Sequence, residues 1–166
     1  MIDDGPPMWA VTAVSMNVPP SGAYQTAASF ENYPCFQREM KKVEVIKRTA
    51  NSARVGFEMD INYAVISIGL VFTLDYFFKP PGSMSWRWVE GDMPDYVGNW
   101  TFLPRDNGKK TLGILRNSMD LKALPGVGGY GVKSAIEIEP TLEPSILASQ
   151  ALLLARRLTE AGVPFV

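Results

Sequence analysis

Glu90, Asp92 and Asp95 are the tightest group of three carboxylates in the chain. Three carboxylates this close can ligate a hard cation or work as an acid/base pair. The surrounding EGDMPD has the make-up of a tight turn, however, where acidic residues are commonly solvated or cap backbone amides. Gly126–Gly131, GVGGYG, satisfies G-x-G-x-x-G, which in a dinucleotide-binding unit lets backbone amides approach a pyrophosphate. No parallel strand follows it to complete such a unit, and no acidic residue stands about 20 positions on to hold a ribose. Cys35, between Pro34 and Phe36, has no histidine to activate it, since the chain contains none, and reads as a buried, inert thiol.

What remains is neutral polar chemistry. Tyr76, Tyr96, Asn117, Tyr130 and Gln150 can orient a carbonyl or hydroxyl group inside an apolar pocket, or can each satisfy a backbone group or face water. Phe57, Met59, Trp86, Trp88 and Trp100 supply large apolar surfaces beside them. These ten residues are the candidate ligand-binding set; no catalytic residue, metal site or cofactor is identified.

The elements that must position this set are strands. Met84, Trp86 and Trp88 share one face of an extended segment, and after the turn Glu90–Asp95 so do Tyr96, Gly98, Trp100 and Phe102. Three of the four tryptophans thus stand in one hairpin, and Gly98 leaves room beside them. Val55, Phe57 and Met59 alternate with Arg54, Glu58 and Asp60 in a strand over Ala53–Asp60, where Gly56 marks a candidate bulge. Further strands are predicted over Trp9–Val18, Met40–Arg48, Ile68–Phe78 and Lys109–Asp120, the last entered through a turn carrying the hairpin signal Asn107–Gly108. A short helix opens at Pro20 or Ser21 with Tyr24, Ala27, Ala28 and Phe30 on its apolar side, and Pro34 stops it. Glu143–Ala161 is a long helix with Leu147, Ala151, Leu154, Leu158 and Ala161 in one stripe, Gln150 and Arg157 at its margins, and Trp86, Trp88 and Trp100 facing it from the sheet.

Composition bounds the class. At 166 residues, with 46% apolar and 20% charged residues and a net charge of −1, the chain reads as one globular domain, 1–166. No basic field exists to hold nucleic acid. The single cysteine excludes an internal disulfide. Residues 61–78 carry only Asp75 as a charge, near the lower length bound for a spanning helix, but their β-branched density and Gly69 fit an apolar loop and a strand. MIDDGPPMW lacks the pattern of a signal peptide, so the cytoplasm is the expected location.

The strand order, the Pro-led helix, E-x-Y-P-x-F at Glu31–Phe36, FTLDYFFKPPGSMSWRWVEGDMPDYVGNWTFLP and the terminal helix together resemble the START-like superfamily of polyketide cyclases, dehydrases and lipid-transport proteins, and within it the coenzyme Q-binding branch. The resemblance runs over roughly Trp9–Glu160. It implies an α+β helix-grip fold, a curved antiparallel sheet of about seven strands wrapped around a long C-terminal helix, enclosing an apolar cavity.

Two functions are then expected. One is binding of a lipid, quinone, sterol or polyketide-like molecule in an internal cavity for transport or presentation. The alternative is an aromatase/cyclase, with tyrosine, Arg116 or Arg87 as donor and Asp60 or Glu58 as base. Strand alternation puts the connections 61–67, 90–95 and 121–131 at one end of the sheet. The apolar residues of 61–67 and 121–131 make that end a candidate cavity mouth with transient membrane contact, or an inward-folded cap. Nothing in the sequence fixes the oligomeric state.

Overall fold

The computed structural model describes residues 9–63 and 66–118, with the backbone alone for residues 10 and 61–66. The predicted C-terminal helix, with Leu147, Gln150, Leu154 and Arg157, lies outside the described residues, as do Tyr130, the GVGGYG segment and the expected loop 121–131.

Seven strands form one antiparallel sheet: β1 (Ala10–Met16), β2 (Met40–Arg48), β3 (Ser52–Tyr63), β4 (Ile66–Lys79), β5 (Ser83–Gly91), β6 (Val97–Arg105) and β7 (Lys110–Ser118). Their lateral order is β1-β7-β6-β5-β4-β3-β2. β2 to β7 are a meander of hairpins, and β1 pairs with β7 at the far edge. The β6–β7 turn follows the sequence signal: Asp106, Asn107 and Gly108 all have positive φ, and Gly108 N donates to Arg105 O at 3.0 Å.

The link from β1 to β2 must cross from one edge of the sheet to the other, and it does so over one face. It comprises α1 (Pro20–Ala28), a 3-10 turn at Phe30–Asn32 and α2 (Tyr33–Phe36). α1 packs on β6 and β7, while the 3-10 turn and α2 pack on β2. Tyr24 meets Phe102 edge to face, and the fully buried Phe30 ring lies against Tyr76 and Phe78. Burying a side chain of that size stabilises the fold by roughly 1.5–3 kcal/mol. Arg48 ties β2 to this link, donating from Nη2 to Ala28 O at 2.8 Å with its guanidinium over the Phe30 ring. That bond satisfies a carbonyl at the C-terminal end of α1.

Four local expectations are corrected. Pro34 opens α2 rather than stopping a helix, because a proline in the first turn gives up an amide that has no partner there anyway. Cys35, on the outer side of that turn, is exposed rather than buried. The bulge expected at Gly56 lies across the ladder on β2: Val45 pairs with Val55 and Lys47 with Arg54, leaving Ile46 as the extra residue. The expected loop 61–67 is mostly strand, since the ladder runs on from Asp60↔Gly69 to Tyr63↔Ile66. β2 pairs with β3 only as far as Met59, and β5 with β4 only from Phe72, so the backbone of this β3–β4 end forms a two-stranded ribbon beyond its neighbours. Among the described residues, no helix is long and apolar enough to cross a membrane.

Candidate functional site

The covered face of the sheet carries the buried alternates of each strand: Val55, Phe57 and Met59 on β3, Met84 and Trp86 on β5, and Trp100 and Phe102 on β6. Between this face and α2 lies a cavity of about 80 Å³. Seven of the ten candidate residues line it. Phe57, Met59, Tyr76 and Trp86 come from β3 to β5, Tyr96 from the β5–β6 turn, Trp100 from β6 and Asn117 from β7. Trp88 does not. It sits opposite Leu74 in the same register that sets Trp86 opposite Tyr76, just before an extra residue at Val89, and is half-buried with its indole N–H donated to Gly91 O at 3.2 Å. Tyr130 and Gln150 are outside the described residues.

Sequence reasoning missed two groups of wall residues. Tyr33, Gln37 and Met40 approach from α2 and the start of β2. Their place depends on how the helical link crosses the sheet, and E-x-Y-P-x-F was the only signal for it. Phe72, Leu74, Met84 and Leu115 belong to the same alternating faces as the named residues and were legible from period two alone. Met93, buried in the β5–β6 turn at positive φ, carried no such signal.

Gly98 organises the centre of the site. Tyr76, Trp86, Gly98 and Asn117 form one row across β4, β5, β6 and β7 by register. A Cβ on Gly98 would stand 2.4 Å from Trp86 Cζ2 and 2.6 Å from Arg116 O, so the indole lies over the glycine and reaches toward Asn117. Gly113 does the same for Trp100, whose Cζ3 would be 3.3 Å from a Cβ there, and the Trp100 ring stacks on Phe102 at 5.6 Å.

The electrostatics are those of a neutral chamber. No charged side chain is among the described residues that line it. Burial pushes the Tyr33 and Tyr76 phenols well up from their ordinary range, Tyr76 further through its neighbours Tyr33 and Tyr96. Tyr96 is pushed up to about 12 by burial, partly offset by Asn117 and Trp86 close to its oxygen. The residue as a whole is half-buried. These phenols are therefore protonated donors at neutral pH. Tyr33 already donates to Ala27 O.

The charged residues considered for chemistry stand elsewhere. Arg87, Arg116 and Glu58 are exposed, with Arg87 lying over Phe77 and Arg116 over Trp9 on the outside of the sheet. Asp60 stands 3.7 Å from Lys41. Strand parity explains this, since each alternates with a buried neighbour. None of the four lines the cavity, which corrects their assignment as donors and base. In the acidic turn, Asp92 caps the ladder: its Oδ2 accepts from Val71 N at 2.8 Å, and its own N donates to Val71 O at 2.7 Å. Among the described residues no cluster of histidine, cysteine and carboxylate side chains suits a metal.

Solved structures share this architecture at low identity. A protein from Thermus thermophilus is 20% identical with a TM-score of 0.70, covering 93% of this chain and 99% of its own. The Zhui aromatase/cyclase from a Streptomyces species is 16% identical with a TM-score of 0.65, covering 90% and 93%. A START superfamily protein from Mycobacterium smegmatis is 14% identical with a TM-score of 0.68, covering 90% and 93%. At such identities the likeness is one of fold, and it is the helix-grip fold expected from the sequence. No curated protein matches the chain. The family model described as polyketide cyclase / dehydrase and lipid transport matches residues 16–161, and the chain belongs to that family.

Proposed function

We propose that this protein binds an apolar small molecule in the cavity under the covered face of the sheet, for transport or presentation. The observation that carries this reading is the lining: aromatic and methionine side chains with a few neutral polar groups and no charge among the described residues. Such a wall favours burial of apolar surface, at roughly 25 cal/mol per Å², and penalises an ionised guest. The cavity is smaller than the roughly 300–1,000 Å³ of drug-sized ligand pockets. Met40, Met59, Met84 and Met93 in its walls are flexible enough to move aside for a guest. The family supports a lipid, sterol, quinone or polyketide-like molecule. A quinone, as in the coenzyme Q-binding branch, belongs to this proposal, as do a cytoplasmic location and transient membrane contact at the β3–β4 end of the sheet.

Solvent extraction of protein purified from its own organism, followed by mass spectrometry, tests the reading. The expected result is a stoichiometric apolar compound. Protein that carries none, and whose melting temperature is unmoved by lipids, sterols, quinones and polyketides, overturns it.

The second reading, an aromatase/cyclase, is favoured by the protonated Tyr76 and Tyr96 in the cavity wall, which suit hydrogen-bond donation that polarises a ketone oxygen, with Tyr33 beside them. Turnover of a poly-β-ketone thioester, lost on replacing these tyrosines by phenylalanine, is the result that selects it.

A further inference from the structure

The polar side of the cavity is unfinished. Trp86 is only 5% exposed, and its Nε1 has no hydrogen-bond partner. The indole stretches over Gly98 toward Asn117, and its ring centroid is 5.9 Å from that of Tyr96. Asn117 is 2% exposed, and Trp86 Nε1 and the Asn117 side chain both lie close to the Tyr96 oxygen. Yet the indole N–H makes no hydrogen bond of proper geometry. The unpartnered indole N–H therefore stands beside two further polar groups, the Tyr96 hydroxyl and the Asn117 amide, at one place in an apolar wall.

A buried donor left in that state costs about 1–3 kcal/mol, so native proteins complete it with a partner, water or ligand. The chemistry of the missing partner follows from the groups. An indole N–H can only donate, a protonated phenol donates best to a stronger acceptor, and an amide donates through its nitrogen. All three fit one acceptor oxygen. With no cation among the described lining residues to balance a carboxylate, that oxygen belongs to a neutral group.

We infer that Trp86, Tyr96 and Asn117 form a receptor for the neutral oxygen of an otherwise apolar ligand, a ketone-type carbonyl, and so select carbonyl compounds over plain hydrocarbons and over carboxylates. This rests on the reading of the cavity as a binding site and adds the class of molecule it takes. Gly98 is the enabling residue, since any side chain there would drive the indole out of the row.

Isothermal titration of the whole chain with three matched probes tests the inference: 2-acetylnaphthalene, its hydrocarbon isostere 2-isopropenylnaphthalene, and 2-naphthoate. The reading is the ketone-to-hydrocarbon affinity ratio in the wild type against Trp86→Phe, which keeps a ring and removes the N–H, and against Tyr96→Phe. One lost hydrogen bond corresponds to a drop of about 3–10-fold in that ratio, with hydrocarbon affinity little changed. The carboxylate is expected to bind at least about 10-fold more weakly than the ketone. A ratio unchanged in both variants overturns the receptor while leaving the apolar cavity standing, and so does a carboxylate that binds as well as the ketone. Failure of all three probes to bind the wild type overturns both. Should Trp86→Phe not fold, Tyr96→Phe and the wild-type ranking still decide.

Discussion

Gly98→Ala is the smallest change that the packing forbids. The added Cβ would lie 2.4 Å from Trp86 Cζ2, 2.7 Å from Cε2 and 2.6 Å from Arg116 O. Carbon atoms in contact prefer about 3.5–4.0 Å, so each distance falls short by about 1 Å. The carbonyl cannot yield, because Gly98 pairs with Asn117 and its neighbour Asn99 with Arg116 in the β6–β7 ladder. The indole must therefore leave the row or β6 must part from β7. Overpacking alone costs about 1–3 kcal/mol, and dislodging a buried tryptophan approaches the 3–5 kcal/mol of outright truncation. We expect a loss of about 3 kcal/mol, read as a lower urea midpoint at unchanged m, or a fall of about 6–12 °C in Tm for a chain of this size. Gly56→Ala is the control: its nearest neighbour would be Ile46 Cδ1 at 3.7 Å, ordinary contact, and the change is expected to stay within about 1 kcal/mol. A Gly98→Ala loss as small as that of Gly56→Ala would refute the placement of the Trp86 ring.

Trp100→Ala should cost about 3–5 kcal/mol in denaturant unfolding, since the ring is 4% exposed and stacked on Phe102; a loss below about 1 kcal/mol would show it unpacked. Arg54 donates to both oxygens of Asp75, at 2.8 and 3.0 Å, and with Arg87 nearby holds that carboxyl below its usual range. A depressed folded pKa stabilises above the unfolded value near 3.8, and the contribution disappears as pH falls through the folded pKa. The stability gap between wild type and Asp75→Asn, measured by urea titration, should therefore be full at neutral pH and narrow on acidification below about 4. For Tyr33, Tyr76 and Tyr96 the sign is opposite: burial raises their pKa, so stability is intact below about 10 and declines as pH rises. Phenolate absorbance should show these three ionising late, Tyr96 near 12, and early titration of all tyrosines would contradict their burial. Cys35, being exposed, should react promptly with a thiol reagent in the folded protein.

The sheet was legible because a strand's period of two is written directly into Val55–Met59, Met84–Trp86 and Gly98–Phe102, and Asn107–Gly108 marked one turn by its backbone needs. Bulges were not, because an extra residue at Ile46 or Val89 changes pairing on one strand without disturbing composition. Trp88 was assigned to the cavity because it keeps the period-two register of Trp86, and that period does not show where along the strand the wall ends. The β3–β4 ribbon was hidden by its own apolarity, since an uninterrupted run offers no alternation from which to read a strand. Of the site, seven residues were found and Phe72, Leu74, Met84 and Leu115 were readable from the same strand alternation, while Tyr33, Gln37 and Met40 depend on a crossing of the sheet that no local pattern encodes.

The central claim is that a guest enters the space walled by Met40, Met59, Met84 and Met93. Each carries a methyl group that reports its surroundings, and Met16, fully buried with its Cε packed at Gly113, serves as an internal control outside that wall. Methyl-¹³C methionine NMR during titration with 2-acetylnaphthalene, or with the compound extracted from the native protein, reads all five at once. The account predicts saturable shifts of the Met40, Met59, Met84 and Met93 methyls with Met16 unmoved. Saturable binding that leaves those four unchanged would place the ligand elsewhere and contradict the account.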